Sequence, residues 1–503
     1  MTDPNHHPFA GRLGAWPDPR LGRILDKRVL RQLDYFPAQM EMDLAHTVML
    51  AETNIIDAQE AAAILGVLRD LEQGGSSSLP LGSGRSSLFW YVEAALIERL
   101  GDHVGGKMHT GRSHNDIMPT VSRITARRRL LELMGATADL QAVLLRLAEQ
   151  HVNTVMPGYT ALQHGQPWTL GHYLAGWFSA FERDQVRLRA AFANVNRSPL
   201  GSSALVGTSW PLDRHRTAAL LGFDGILWNS HDAGFATRDY VVETLAAIGI
   251  LLGNISSVCS DLYLWSSYEF GMIEPADGFS GTSSFMPQKK NAWAFDWARG
   301  AAGSTVGQFA SSLAALRGVS STDGAFQDYP ERPLADAFET ASDYVVLVTG
   351  AIDTMRVRDD VMLERAKANW TTASNLADEI ARHAGLSFRT AHSIVGRIVR
   401  SAIDAGVAPD ELDAADVDRA AEEIAGRRLD LTDDAIREAL DPVRFIQTRI
   451  TAGSVHPDEV ARMLASASTT LADGRRWFDE RTSTLAQARA DLDASVARWT
   501  GRA

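Results

Sequence analysis

Cysteine is almost absent from this chain of 503 residues, with Cys259 standing alone. One thiol excludes an intrachain disulfide framework and a Cys-rich zinc site. Positive charge is short as well: 49 Lys and Arg face 62 Asp and Glu, for a formal net charge of -13. The basic face of a duplex-binding protein is therefore not expected, and nucleic acid is not an expected partner. An anionic small molecule would have to be captured against the overall field by local groups such as Lys289, Lys290 and Arg112. No uninterrupted apolar run reaches membrane-spanning length. The best candidate, residues 241–265, is broken by Asn254, Ser256, Ser257 and Asp261, so no membrane is expected as a partner. The opening MTDPNHHPFAGRLGAW lacks a basic segment followed by an apolar one, so it does not read as a secretory signal. Its adjacent His6 and His7 read as solvated residues of a terminal arm rather than metal ligands. The cytoplasm is the expected compartment.

What the chain has instead is helical periodicity. Hydrophobic residues make up 45% of it, ample for a large core and for more than one domain. Leu44, Val48, Leu50 and Ile55, then Ala61, Leu65, Leu68 and Leu71, mark helices in the first hundred residues. The stretch GGSSSLPLGSGRSS (74–87) reads as a loop, and Phe89-Trp90-Tyr91 opens a helix to Leu100. Leu130, Leu133, Thr137, Leu140, Leu144 and Leu147 fall three and four apart. Val241, Leu245, Ile248, Leu252, Ile255, Cys259 and Leu262 do so more strictly, which predicts long helices packed nearly parallel. Cys259 lies on that seam and reads as a small core residue. From about Glu364 the periodicity continues in shorter pieces punctuated by Gly and Pro. No strand alternation of comparable length is present. The expected class is all-α, with a helical domain over 1–112, a central long-helix bundle over 113–363 and a C-terminal helical domain over 364–503.

Two polar stretches interrupt this pattern. GTSSFMPQKKN (281–291) joins two serines, Ser283 and Ser284, to Met286-Pro287 and to Lys289-Lys290-Asn291. A small-residue loop of this kind can offer backbone N–H groups and hydroxyls to an anion. Lys289 would add a fixed charge and Asn291 an amide donor. A serine acting as a base needs such neighbours, because a free hydroxyl is a poor base at neutral pH. A flexible surface loop rich in Ser and Lys is the plainer reading of the same residues. The second stretch, Gly105 to Asp116, carries His109, Thr110, Arg112, Ser113, His114 and Asn115 just before a long helix. Helix N-terminal N–H groups favour an anion there. On the residues alone a capped turn, with Ser113 or Asn115 satisfying backbone groups, is the preferred reading.

TSSFMPQKKN closely resembles the GSSxMPxKxN signature of the aspartase/fumarase superfamily, and its MPQKKN form is similar to argininosuccinate lyases. The likeness extends through GGKMHTGRSHNDI (105–117), MPGYTALQHGQP (156–167), SPLGSSALVGTSWPLDR (198–214), DLYLWSSYEFG (261–271) and LDPVRFIQTR (440–449). The resemblance implies β-elimination of an amine from an N-substituted aspartate, with fumarate as the other product and no metal or organic cofactor. It implies Ser283 as the base, and Lys289 and Asn291 as holders of the developing charge. Substrate contacts would come from Ser113, His114, Asn115, Thr160, Ser284, Met286 and Gln327. It also implies a homotetramer whose active sites are shared among chains.

Four departures bear on the amine. The histidine of the family's GYTHLQ is Ala161, and its acidic partner matches Asp296. A methyl cannot exchange a proton, and His164 three residues on reads as structural. The Arg before the signature's Asn-Asp is His114, which would weaken one carboxylate contact or make it pH-dependent. An acidic-His stretch is replaced by Ser86-Ser87-Leu88-Phe89, and the segment that grips the arginine half retains only Gln327. Losing several buried polar groups on one side of a site changes specificity there. The expectation is a carbon–nitrogen lyase whose amine is not arginine; Phe89, Trp90, Trp293 and Trp297 would make the altered pocket more apolar if they face it. An ordinary argininosuccinate lyase and a non-catalytic structural homologue are the alternatives.

Overall fold

The computed structural model describes residues 17–82, 85–236, 238–317, 322 and 328–501. His6, His7 and Gln327 lie outside the described residues. The first region contains α1 (Pro19–Gln32), α2 (Phe36–Glu52), α3 (Ala58–Gly74), α4 (Leu88–Leu100) and the single turn α5 (Asp102–Gly105). A capping box between Asp57 and Glu60 opens α3. Its apolar stripe of Ala61, Leu65, Leu68 and Leu71 is fully buried against α2. Helix α2 is buried on nearly every side from Ala38 to Ala51, polar residues included, and is the axis of this core.

The centre is a bundle of five long helices: α6 (His114–Gln150), α7 (Leu170–Val195), α9 (Asp239–Trp265), α10 (Trp293–Leu316) and α11 (Asp328–Thr354), with short α8 (Arg214–Leu220) between the second and third. The stripes predicted on α6 and α9 are the seam of that bundle: Leu130, Leu140, Leu144, Val241, Leu252 and Leu262 are all completely buried. Helix α9 is apolar enough by length and composition to cross a bilayer, yet 56% of its most apolar window is inside the protein. Its Asn254 donates to Asp184 on α7 at 2.7 Å. Cys259 is buried on the same seam, and burial pushes its thiol up to about 12. Alkylation at mildly alkaline pH is therefore expected to leave the native protein unlabelled, and to label one thiol per chain once it is unfolded in guanidinium. Mass spectrometry reads the difference, and native labelling would contradict the burial.

Helix direction alternates through the bundle, and specific contacts fix both ends. At one end, Arg123 near the start of α6 donates to the Asn194 carbonyl at the close of α7 (2.6 Å). Ser122 there shares a hydrogen bond with Tyr240 at the start of α9 (2.8 Å), and Tyr240 donates to Glu331 at the start of α11 (3.2 Å). At the other end, Arg146 near the close of α6 pairs with Asp353 near the close of α11. Tyr173 at the start of α7 donates to Asp261 near the close of α9 (3.0 Å), and Arg299 at the start of α10 lies 4.9 Å over the Tyr263 ring.

Among the described residues, three two-stranded sheets punctuate the helices: β1 (Val155–Thr160) with β2 (Gln163–Thr169), β3 (Ile273–Glu274) with β6 (Arg356–Val357), and β4 (Gly281–Thr282) with β5 (Lys290–Asn291), all antiparallel. After α12 (Asp359–Lys367), a separate small core gathers α13 (Ala373–Ala384), α14 (Phe388–Ala405), α15 (Ala414–Ala425), α16 (Asp433–Leu440) and the adjoining α17 (Pro442–Gln447). Leu376, Ile394, Val417 and Ile436 fill it. The glycines read as breaks, Gly385 and Gly406, are left-handed caps closing α13 and α14. Helix α18 (Pro457–Thr500) then leaves that core and runs back along the molecule. Its Val460 and Leu464 join the bundle core, its Leu492 and Val496 the N-terminal one, and Arg489 pairs with Glu72 at 2.9 Å.

Candidate active site

Ser283 is the first residue beyond β4, in the loop that returns to the bundle through β5. Gly281 faces Asn291 and Thr282 faces Lys290 across the ladder. A Cβ at 281 would sit 2.0 Å from the Trp293 indole at the head of α10, so any larger residue there would have to displace that ring. The Ser283 Oγ accepts the backbone N–H of Phe285 at 3.2 Å and of Met286 at 3.0 Å. Two donors on one hydroxyl oxygen fix its direction and lower the cost of negative charge on it. The loop stands out from the chain: Phe285 is 91% exposed, and Ser284, Met286, Pro287 and Gln288 are exposed too.

The two lysines that follow have different roles. Lys290 is tied to Glu274 at 3.1 Å and Asp277 at 2.7 Å, so its charge is engaged at the base of the hairpin. Lys289 is exposed and makes no ion pair among the described residues; its backbone N–H donates to the Met286 carbonyl at 3.1 Å. Of the cations expected to capture an anion, Arg112 is also withdrawn. Its guanidinium is buried on Asp43 at 2.6 Å and donates to the Met108 carbonyl at 3.0 Å. Spacing along the chain could not reveal a partner 69 residues away. Asp296 pairs with Arg299 at 3.6 Å.

At the start of α6, Ser113 is the N-cap. Its Oγ accepts the Asn115 N–H at 3.4 Å, and the Asp116 carboxylate accepts the Ser113 N–H at 2.8 Å. The other Asp116 oxygen accepts the N–H groups of Gly201 and Ser203, each at 2.9 Å. Burial raises the Asp116 pKa to about 6, against the pull of those bonds. Asn115 donates its side-chain amide to the Ala204 carbonyl at 2.9 Å. Asp116 is thus the clamp between helix and neighbouring loop, a part the sequence signals through its Ser-x-x-Asp spacing. Burial, then Arg28 and Arg238, pushes His114 down to about 4. It therefore presents a neutral imidazole at neutral pH rather than a titrating cation. Phe89 is 2% exposed; it stacks on His109 at 5.4 Å and lies 5.8 Å from His114, so it backs the turn from the core side and does not line a surface. Trp293 and Trp297 stack at 5.1 Å and are partly open to solvent.

Thr160 ends β1 and pairs with Gln163 across a two-residue turn. Both turn residues, Ala161 at φ 51° and Leu162 at φ 59°, are left-handed, the geometry that matches strand twist in a tight hairpin. Tyr159 and His164 pair on the opposite face of the ribbon from Thr160, with Tyr159 Oη 3.4 Å from His164 Nε2. His164 is therefore turned from the face that Thr160 occupies.

The Ser113 segment does not meet the other two within one chain. The Ser283 loop and the Thr160 hairpin lie at the bundle end marked by Tyr173 and Asp261, whereas Ser113 and Asn115 lie at the end marked by Tyr240. The 37 residues of α6 put roughly 55 Å between those ends. Among the described residues, no hydrogen bond or ion pair joins Ser283 or Lys289 to Ser113, Asn115 or Thr160.

Residues 24–307 match a family model described as lyase, and residues 370–447 one described as argininosuccinate lyase C-terminal. A protein of Shouchella clausii named argininosuccinate lyase 1 is 36% identical over 485 residues, 95% of this chain and 97% of that protein. An argininosuccinate lyase of Methanocaldococcus jannaschii is 37% identical over 448 residues, 89% of this chain and 91% of that one. Among solved structures, EDDS lyase in complex with formate is 32% identical and covers 97% of both chains with a TM-score of 0.88. A variant of EDDS lyase with bound fumarate also has 32% identity and a TM-score of 0.88, over 98% of this chain and 99% of that one.

Proposed function

Since this chain belongs to the argininosuccinate-lyase branch of the aspartase/fumarase superfamily and is a fumarate-releasing carbon–nitrogen lyase, we propose that it acts by β-elimination on an N-substituted aspartate, with Ser283 as the base. The observation that carries this reading is the Ser283 oxygen held by two backbone N–H groups, in a loop whose Lys289 makes no ion pair among the described residues. Ser283 takes the proton from the carbon beside a carboxylate. The electron pair spreads onto that carboxylate, where Lys289 and Asn291 supply the opposing charge and donor. Collapse of that pair forms the C=C bond of fumarate, breaks the C–N bond and leaves its electrons on the amine nitrogen, which then takes a proton. Ser113, Asn115 and Thr160 hold the carboxylates, with Ser284, Met286 and Gln327 as further contacts. The opposite placement of Ser113 and Ser283 along α6 supports a site completed by other copies of the chain, in a homotetramer.

Argininosuccinate is the first substrate to test, because the curated relatives carry that name over most of their length. Their names put arginine ahead of the other amines that the sequence alone favoured. A second reading, a different amine, is favoured by a specific observation. The tip of the β1–β2 hairpin offers the methyl of Ala161 where the family has a histidine, and His164 points to the other face. EDDS lyase, named for another substrate, supports this reading on the same scaffold. A panel of amines run with fumarate, and argininosuccinate run in the cleavage direction, separates the two by kcat/KM. Ala161→His is expected to raise turnover of argininosuccinate by on the order of 10²-fold if proton donation to the leaving nitrogen limits the wild type. No response in Ala161→His, together with brisk wild-type cleavage of argininosuccinate, would sink the second reading. No turnover of any member would sink the first as well.

A further inference from the structure

Behind the turn that carries Ser113 and Asn115 lies a buried polar cluster that the proposed reaction does not use. Asp43 accepts from Arg112 at 2.6 Å and from Gln39 at 2.8 Å, and His46 Nε2 lies 2.9 Å from the Thr110 carbonyl. Glu93, on α4 and 6% exposed, brings its Oε1 to 3.9 Å from His109 Nδ1. Five buried atoms in this one place have no hydrogen-bond partner among the described residues: Gln39 Oε1, His46 Nδ1, Glu93 Oε2, His109 Nδ1 and Arg112 Nε. Unpaired buried polar atoms cost stability, and such a concentration of them calls for a reason. Hydrogen bonds in unliganded sites are often long and tighten when the ligand arrives.

We propose that Glu93 is a positioning residue, whose carboxyl group closes onto the His109 imidazole and so fixes the turn from Thr110 to Asn115 around a substrate carboxylate. The inference rests on the reading above, in which Ser113 and Asn115 receive that carboxylate. The imidazole is stacked on Phe89 and Trp90 at 5.4 and 6.1 Å, on the same helix as Glu93, so a pull from Glu93 is transmitted to the turn rather than absorbed by a tilt of the ring. The charged and titratable groups that act on Glu93 are Asp43 on α2, Asp102 on α5, and His109 and Arg112 at the turn. Burial raises the Glu93 carboxyl to about 7, with Arg112 opposing and Asp43 and Asp102 adding to the rise. Burial, then Arg112, lowers His109 to about 4. Below neutrality a protonated Glu93 therefore donates to a neutral imidazole. Above it Glu93 gains a negative charge beside the place where a dianion binds, so affinity for fumarate should weaken as pH rises past about 7.

The test is fumarate KM and kcat against pH for wild type, Glu93→Gln and Glu93→Ala. Glutamine keeps the shape and a donor but cannot ionise. Glu93→Gln is expected to keep the low-pH KM and to lose the rise above pH 7. Glu93→Ala is expected to raise KM several-fold below pH 7 and to show no further rise above it, with kcat within about twofold. A Glu93→Gln profile that still rises, a Glu93→Ala KM like wild type below pH 7, or a parallel loss of kcat and folding stability would each overturn the proposal. Calorimetric titration with fumarate gives the same comparison without turnover. Failure of the elimination reading shows elsewhere, as a Ser283→Ala protein with wild-type kcat, so the two ideas fail separately.

Discussion

Ser283→Ala is expected to lower kcat for fumarate release by roughly 10²–10⁴-fold, the usual contribution of a positioned general base, with KM little changed. The fold should survive. In the chain described here the Ser283 hydroxyl bonds only the N–H groups of Phe285 and Met286, in a loop open to solvent where water can replace it. Thermal unfolding followed by circular dichroism, beside steady-state rates, separates lost chemistry from lost structure. A variant that keeps its Tm and its rate would move the base to another residue. Lys289→Met provides a companion measurement, since it removes the lysine of the pair that no carboxylate engages among the described residues.

The second large effect is restoration of activity from two inactive proteins. Ser283 and Asn115 lie at opposite ends of α6, so a centre that uses both must draw them from different chains. Ser283→Ala and Asn115→Ala homomers should each be nearly inactive. Unfolded together and refolded in equal amounts, they should recover up to about a quarter of wild-type activity, because one centre in four receives an intact serine and an intact asparagine. Mixing without refolding is the control. Absence of any recovery, in mixed oligomers verified by mass spectrometry, would mean that the two residues never serve one centre.

How much of this could be read from the sequence depends on the range of the interaction. Strictly spaced residues such as Val241, Ile248, Ile255 and Cys259 announced their helix and its buried side, because a helical stripe is a local pattern that one chain segment expresses alone. Gly385 and Gly406 announced helix ends for the same reason. The β1–β2 hairpin was hidden: its turn is Ala161-Leu162, without the Gly or Asn that normally marks left-handed backbone. Nor does anything in the periodicity of α18 say that it turns back to lie on two earlier cores. Within the candidate site, the signature loop and a capped turn at Ser113 or Asn115 were legible, whereas the Asp116 partner of that cap was not singled out. The division of labour between Lys289 and Lys290 was not, because it depends on Glu274 and Asp277 folding back onto one of them. Likewise Arg112 reads as a surface cation until Asp43 is seen beneath it. Distant pairings of this kind leave no spacing rule behind.

The length of α6 carries a last implication, for mixed populations of chains. In the shared arrangement proposed above, a chain damaged at both the serine loop and the helix cap would spoil one centre through the first and a different one through the second. In a cell making good and doubly damaged copies, output would then scale as the square of the intact fraction, since each centre needs two sound contributors. Such an allele would be partly dominant, whereas damage at either one alone would dilute the enzyme only in proportion to its dose.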